Sequence, residues 1–171
     1  MGIAMYHKAI ALLASLFFAA ISIAQAETFT VPTKAPFADG IDITDAVRKE
    51  CMLETKLPQF IVEGAERGVD VVLADAPAEN ATGKVLRLEF THILGFGGGV
   101  WSGPKSVTVS GKLYENGKVV GSFVASRYST GGAFGGYKGT CSILGRCIKT
   151  LGIDIAHWLE SPTMDARLGN A

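Results

Sequence analysis

The dipeptide Asn116-Gly117 stands between two long alternating runs, Lys105–Glu115 and Lys118–Ser129. A two-residue loop of this type closes a β-hairpin, because both positions must take positive φ and Asn and Gly tolerate it best. Two paired strands of this length cannot exist alone in water. They need further strands or a covering helix. With a two-residue turn and regular pairing, Leu113 faces Val120, Gly111 faces Ser122 and Val109 faces Val124. That set is expected on the helix-covered face. The opposite face is then expected to carry Tyr114, Val119, Phe123, Ala125 and Arg127, mixed with Lys112, Ser110 and Thr108. This makes it apolar enough to serve as an interaction patch.

The remaining elements follow from periodicity. Thr28–Pro32 reads as a short edge strand, since Pro is tolerated at an edge. Asp42 or Thr44 can cap a helix from Asp45, with Ile43, Val47 and Cys51 at helical spacing. Pro58 is expected to end or kink it, and Pro58–Arg67 gives a second helical piece. Val69–Ala74 is a nearly continuous apolar run and reads as a buried strand. Lys84–Leu94 alternates, with Leu86, Leu88, Phe90, His92 and Leu94 on one side. Cys141–Leu159 has an apolar stripe at Leu144, Cys147, Ile148, Leu151, Ile155 and Trp158, so it is a long amphipathic helix. Thr140 or Ser142 is expected to cap it. The order β-α-β-β-β-β-α predicts an α+β fold: a single, mainly antiparallel sheet with helices on one face.

Residues 1–26 stand apart. Lys8 is followed by the apolar run Ala9–Ala24 and then Ala24-Gln25-Ala26, the layout of a cleavable secretory signal peptide. The run is 16 residues, short of the roughly 20 that span a bilayer. The organisation expected is therefore a signal peptide at 1–26, one α+β domain at 27–160 and a flexible C-terminal tail at 161–171. A periplasmic location follows, with no transmembrane segment after cleavage.

Charge excludes one class of function. The chain has 16 Lys+Arg against 16 Asp+Glu. Cleavage removes only Lys8, leaving 15 basic and 16 acidic residues. A near-neutral chain lacks the electrostatics of a nucleic-acid binder. Cys51, Cys141 and Cys147 all follow the export segment, where a disulfide is permitted. Three cysteines allow one intramolecular bond and leave one thiol. Cys141 and Cys147 cannot bond if both are helical, since six residues of rise separate them by about 9 Å. Cys51 with Cys147 requires two helices side by side, and the pairing stays open. No metal-site spacing is present and no cofactor is expected.

No catalytic motif survives inspection. Gly98, Gly103, Lys105 and Ser106 come near a phosphate-loop pattern, but Pro104 interrupts it and a strand follows where a helix is needed. His92 reads as a core or rim histidine. The glycine-rich stretches 95–104 and 131–139 are more informative. Counting strand directions places both at one end of the sheet, with the start of the last helix and the end of the Pro58–Arg67 piece. Phe96, Trp101, Phe134 and Tyr137 would gather there, with Lys105 and Lys138. Aromatics, free amides and cations together suit a sugar, peptide or anionic-polymer ligand.

Three stretches carry a resemblance: Glu50-Cys51 with Lys56–Phe60, Trp101–Ser106, and Gly139–Cys147. Over roughly Glu27–Leu159 the chain resembles an uncharacterised group of exported bacterial proteins of unknown function. That resemblance implies no activity and transfers no site. In architecture alone, the element order is similar to small periplasmic α+β domains of envelope-assembly proteins, such as the N-terminal domain of the Tol-system β-propeller protein. The function expected is a non-enzymatic binding or envelope-accessory protein. Its partner would be an unidentified envelope component or protein, and homo-oligomer formation stays open. The alternatives are a small periplasmic hydrolase with a site near His92, and a structural, self-associating domain.

Overall fold

The computed structural model describes residues 26–66, 68–75, 82–95, 104–130 and 137–170. In chain order these form β1 (Glu27–Val31), α1 (Asp45–Glu50), α2 (Leu53–Gly64), β2 (Val69–Leu73), β3 (Lys84–Leu94), β4 (Lys105–Glu115), β5 (Lys118–Ser129), α3 (Thr140–Glu160) and β6 (Ala166–Gly169). The six strands make one mixed sheet in the order β2-β1-β3-β4-β5-β6. The expected α+β class holds, and the order of elements is largely matched, with the first helical region divided in two and a sixth strand added. β3, β4 and β5 are antiparallel neighbours, while β1–β2, β1–β3 and β5–β6 are parallel. The sheet is thus an antiparallel centre with a helix-connected parallel pair at each edge.

Several expectations are corrected at the edges. β1 is interior and β2 is the edge. Pro32 follows the last paired residue, where the chain leaves the sheet, so it removes no ladder bond. β2 leaves Val72 and Leu73 exposed rather than buried. Residues after Pro162, expected as a frayed tail, carry β6 against β5. Asp165 at positive φ immediately precedes that strand, and its backbone N–H donates to the Ser122 hydroxyl at 2.8 Å.

Helix boundaries follow backbone chemistry. Thr44 caps α1, its side chain accepting from the Val47 N–H at 3.3 Å. The break between α1 and α2 falls at Met52, which has φ 52°, and Pro58 lies inside α2. Proline has no N–H for the Glu54 carbonyl four residues back. That carbonyl instead accepts from Ala35 N–H at 2.9 Å, tying the segment after β1 to α2. Thr140 and Ser142 do not cap α3. Its N-cap is Gly139, without a side-chain bond.

α2 and α3 cover one face of the sheet. Phe29, Phe90, Val109, Leu113, Ile61, Leu151 and Ile155 meet in the core between them. Two β-bulges decide which side chains reach it. Thr91 is the extra residue between the Phe90–Val109 and His92–Thr108 pairs. The alternation therefore changes phase: Ile93 is buried and His92 is exposed. Val120 is the extra residue between the Leu113–Gly121 and Tyr114–Val119 pairs. Beyond it, Phe123 and Ala125 point into the core and Val124 points out, 41% exposed. The faces expected for β5 are thus exchanged. Arg127 also lies on the helix side, where it pairs with Asp154 of α3 at 2.8 Å.

Cys51 bonds Cys141, joining the end of α1 to the first turn of α3. Cys147, six residues further along α3, is the free thiol and faces the core. Burial pushes that thiol's pKa up.

Candidate functional site

The ends of β3, β4 and β5 that lead to the two glycine-rich stretches lie side by side, as expected, since Leu94 pairs with Ser106 and Lys105 with Ser129. The Cys51–Cys141 bond brings the first turn of α3 to the end of α1. α2 finishes at the opposite end, because Gly68 and Val69 lie against Glu27. The Pro58–Arg67 piece is therefore not part of this cluster. Of the residues expected here, Phe96, Trp101 and Phe134 lie outside the described residues. Tyr137 is 78% exposed. Lys138 is half-buried just before α3. Lys105 falls on the core-facing alternation of β4 and is fully buried. That burial pushes its ammonium pKa below the ordinary lysine value. His92, at the same end, is exposed and has no hydrogen-bond partner among the described residues.

The opposite, helix-free face of the sheet carries the better-defined arrangement. It presents Arg87 and Glu89 from β3, Thr108, Ser110, Lys112 and Tyr114 from β4, Ser122, Val124 and Ser126 from β5, and Arg167 from β6. Register brings these into rows across the strands. Arg87 lies directly opposite Lys112, and Lys112 opposite Ser122. In the next row Glu89 meets Ser110, Ser110 meets Val124, and Val124 meets Arg167. Small hydroxyl residues occupy the middle strands, so the surface is lower there.

Two hollows result. One of about 310 Å³ is bordered by Pro36, Arg87, Glu89, Ser110, Lys112 and Tyr114. Another of about 340 Å³ is bordered by Ser110, Lys112, Ser122, Val124, Asp165 and Arg167. They meet over Ser110, Gly111 and Lys112. Among the described residues neither Lys112 nor Arg167 has an ion-pair partner. Asp165 is engaged by the Ser122 hydroxyl at 2.9 Å. Thr108 and Ser126 share a hydrogen bond of 2.8 Å beside the second hollow.

Lys112, Ser110 and Tyr114 were readable on this face from the alternation of β4. The sequence pattern singles out neither Arg87 nor Arg167. The signal for Arg87 was its place on the polar side of the β3 alternation. The signal for Arg167 was the short alternation Ala166-Arg167-Leu168, in a segment assigned to a tail.

No family model matches this chain, and no curated protein matches it. Among solved structures, the PelC dodecamer from Paraburkholderia phytofirmans is similar at 21% identity, covering 75% of this chain and 87% of that one with a TM-score of 0.45. Protein XCC0632 from Xanthomonas campestris is similar at 12% identity, with 80% and 85% coverage and a TM-score of 0.49. A minor lipoprotein from Acinetobacter baumannii is similar at 15% identity, with 80% and 92% coverage and a TM-score of 0.41. At these values the likeness concerns the arrangement of elements and assigns no function.

Proposed function

We propose that the chain is exported, with residues 1–26 as the cleaved signal, and acts as a non-enzymatic binding or envelope-accessory protein in the periplasm. Its helix-free sheet face holds an anionic envelope component. One observation carries this reading: Arg87 and Lys112 stand directly opposite each other on an open face, with Arg167 further along it. Like charges in that position destabilise a sheet. Lys112 has no ion-pair partner among the described residues, and an anion beside it would turn that repulsion into charge-assisted hydrogen bonds.

The test separates binding from folding. Lys112→Glu is expected to weaken capture of anionic envelope material while leaving the thermal midpoint equal or higher, since it removes a repulsion. Loss of binding together with loss of stability would show a merely structural residue and defeat the reading. The glycine-loop end is the second site to test, because Tyr137 is exposed beside the start of α3. Trp101→Ala and Lys138→Ala there are expected to leave binding by the sheet face unchanged.

A further inference from the structure

We infer that the occupant of the helix-free face is an acidic glycan, lying across the strands rather than along them. This rests on the binding role proposed above and adds the chemical class of the ligand. The first argument is direction. The two hollows are shared out along a row, Arg87 to Lys112 to Ser122, so their common axis crosses β3, β4, β5 and β6. Three strand intervals give a length of about 14 Å. An added peptide strand would pair along an edge, parallel to the ladder. A chain crossing the ladder gains no backbone hydrogen bonds from it and must be held by side chains.

The second argument is what those side chains are. The floor where the hollows meet is Ser110 and Gly111, and the Ser110 hydroxyl has no hydrogen-bond partner among the described residues. The second hollow also has apolar sides, Val124 and Ala166, on which the carbon face of a sugar ring can rest. A hydroxyl floor with cations at strand spacing suits a polymer that repeats hydroxyl groups and carboxylates. Lys112 and Arg167 are open to carboxylates, and Ser110 can exchange hydrogen bonds with ring hydroxyls. Tyr114 lines one rim, where an aromatic side chain can pack against a sugar.

The experiment is calorimetric titration of the purified protein with an oligogalacturonate, alongside a neutral dextran oligomer, an oligoglutamate peptide and vesicles containing anionic phospholipid. Oligogalacturonate is expected to bind with affinity that falls as salt rises, and dextran is expected not to bind. Lys112→Gln and Arg167→Gln should each weaken oligogalacturonate binding roughly tenfold, the effect of about 1.4 kcal/mol. Ser110→Val should weaken it too, with an unchanged thermal midpoint. Lys138→Gln, outside the face, should bind normally. If oligoglutamate or the vesicles bind in a Lys112-dependent way and oligogalacturonate does not, the glycan assignment is overturned while the anion-binding face stands. If no anion binds in a Lys112-dependent way, both are overturned.

Discussion

Gly111 of β4 lies under the ring of Phe123 of β5. A Cβ placed on Gly111 would sit 2.2 Å from Phe123 Cζ. The ring is clamped from the other side by Trp158 of α3, edge-on at 4.8 Å between centroids. The absent side chain is therefore what allows Phe123 to enter the core, and the bulge at Val120 is what points it there. Gly111→Ala is expected to destabilise the protein by about 1–3 kcal/mol, the range for overpacking. Phe123→Ala should cost about 3–5 kcal/mol. Urea denaturation of both single variants and the double variant checks this. The double variant should lose less than the sum, because once the ring is gone the Cβ meets nothing; additive losses would mean the two residues do not share that space.

This contact also explains what could be read in advance and what could not. Asn116 and Gly117 have φ of 51° and 79°, as the dipeptide demands. That turn is local, and so is the apolar stripe of α3. Nothing local marks Val120 rather than Val119 as the residue that bulges. The choice is made across the sheet and the helix layer, by the space over Gly111 and by Trp158 packing on Gly121. A rule of strict alternation therefore assigned the wrong face to Phe123. Thr91 hides its bulge in the same way, which is why His92 looked like a core position. On the candidate face, Lys112 and Ser110 lie before the second bulge and were assigned correctly. Arg167 depended on β6, four residues whose partner strand is distant in sequence.

Two glycines of α3 should respond oppositely to the same substitution. A Cβ at Gly145 meets nothing within 4 Å, while one at Gly152 would lie 2.5 Å from Phe60 Cβ and 2.7 Å from the Phe60 carbonyl carbon. Gly145→Ala is expected to stabilise by about 0.5–1 kcal/mol through helix propensity. Gly152→Ala forces α2 and α3 apart and should cost about 1–3 kcal/mol. Denaturation midpoints of the two variants decide it; matching signs would refute this account of the helix contact.

Asp75 gives a pH signature. Its carboxylate accepts from the Thr33 hydroxyl at 2.8 and 2.9 Å and from the Thr33 N–H at 3.0 Å. These bonds hold its pKa below the ordinary carboxylate value. The folded pKa is thus lower than the unfolded one. The resulting stability is present above the unfolded value of about 3.9 and is lost as pH falls through the folded value. In Thr33→Val the backbone bond survives and the hydroxyl bonds do not. The Asp75 carboxyl, followed by NMR, should then titrate closer to the ordinary value. An unchanged titration in that variant would show that the hydroxyl is not what holds the carboxylate.

The Cys51–Cys141 bond spans 90 residues of chain and should contribute about 4–5 kcal/mol by restricting the unfolded state. Its loss should not be felt evenly. α1 buries only Val47, whereas α3 buries ten of its residues. The Cys51→Ala/Cys141→Ala variant is therefore expected to loosen α1 and the Met52 break first, with the sheet and α3 still protected. Hydrogen exchange resolves this, since amides of α1 should exchange faster while those of β3, β4 and α3 remain slow. Thiol counting provides the companion measurement. Cys147 is buried and its thiol is held protonated by that burial, so the native protein should resist an aromatic disulfide reagent at neutral pH. Unfolding without reductant should release one thiol per chain. A native protein that reacts at once would show that Cys147 is not shielded, and an unfolded one that yields three thiols without reductant would show that Cys51 and Cys141 are not joined.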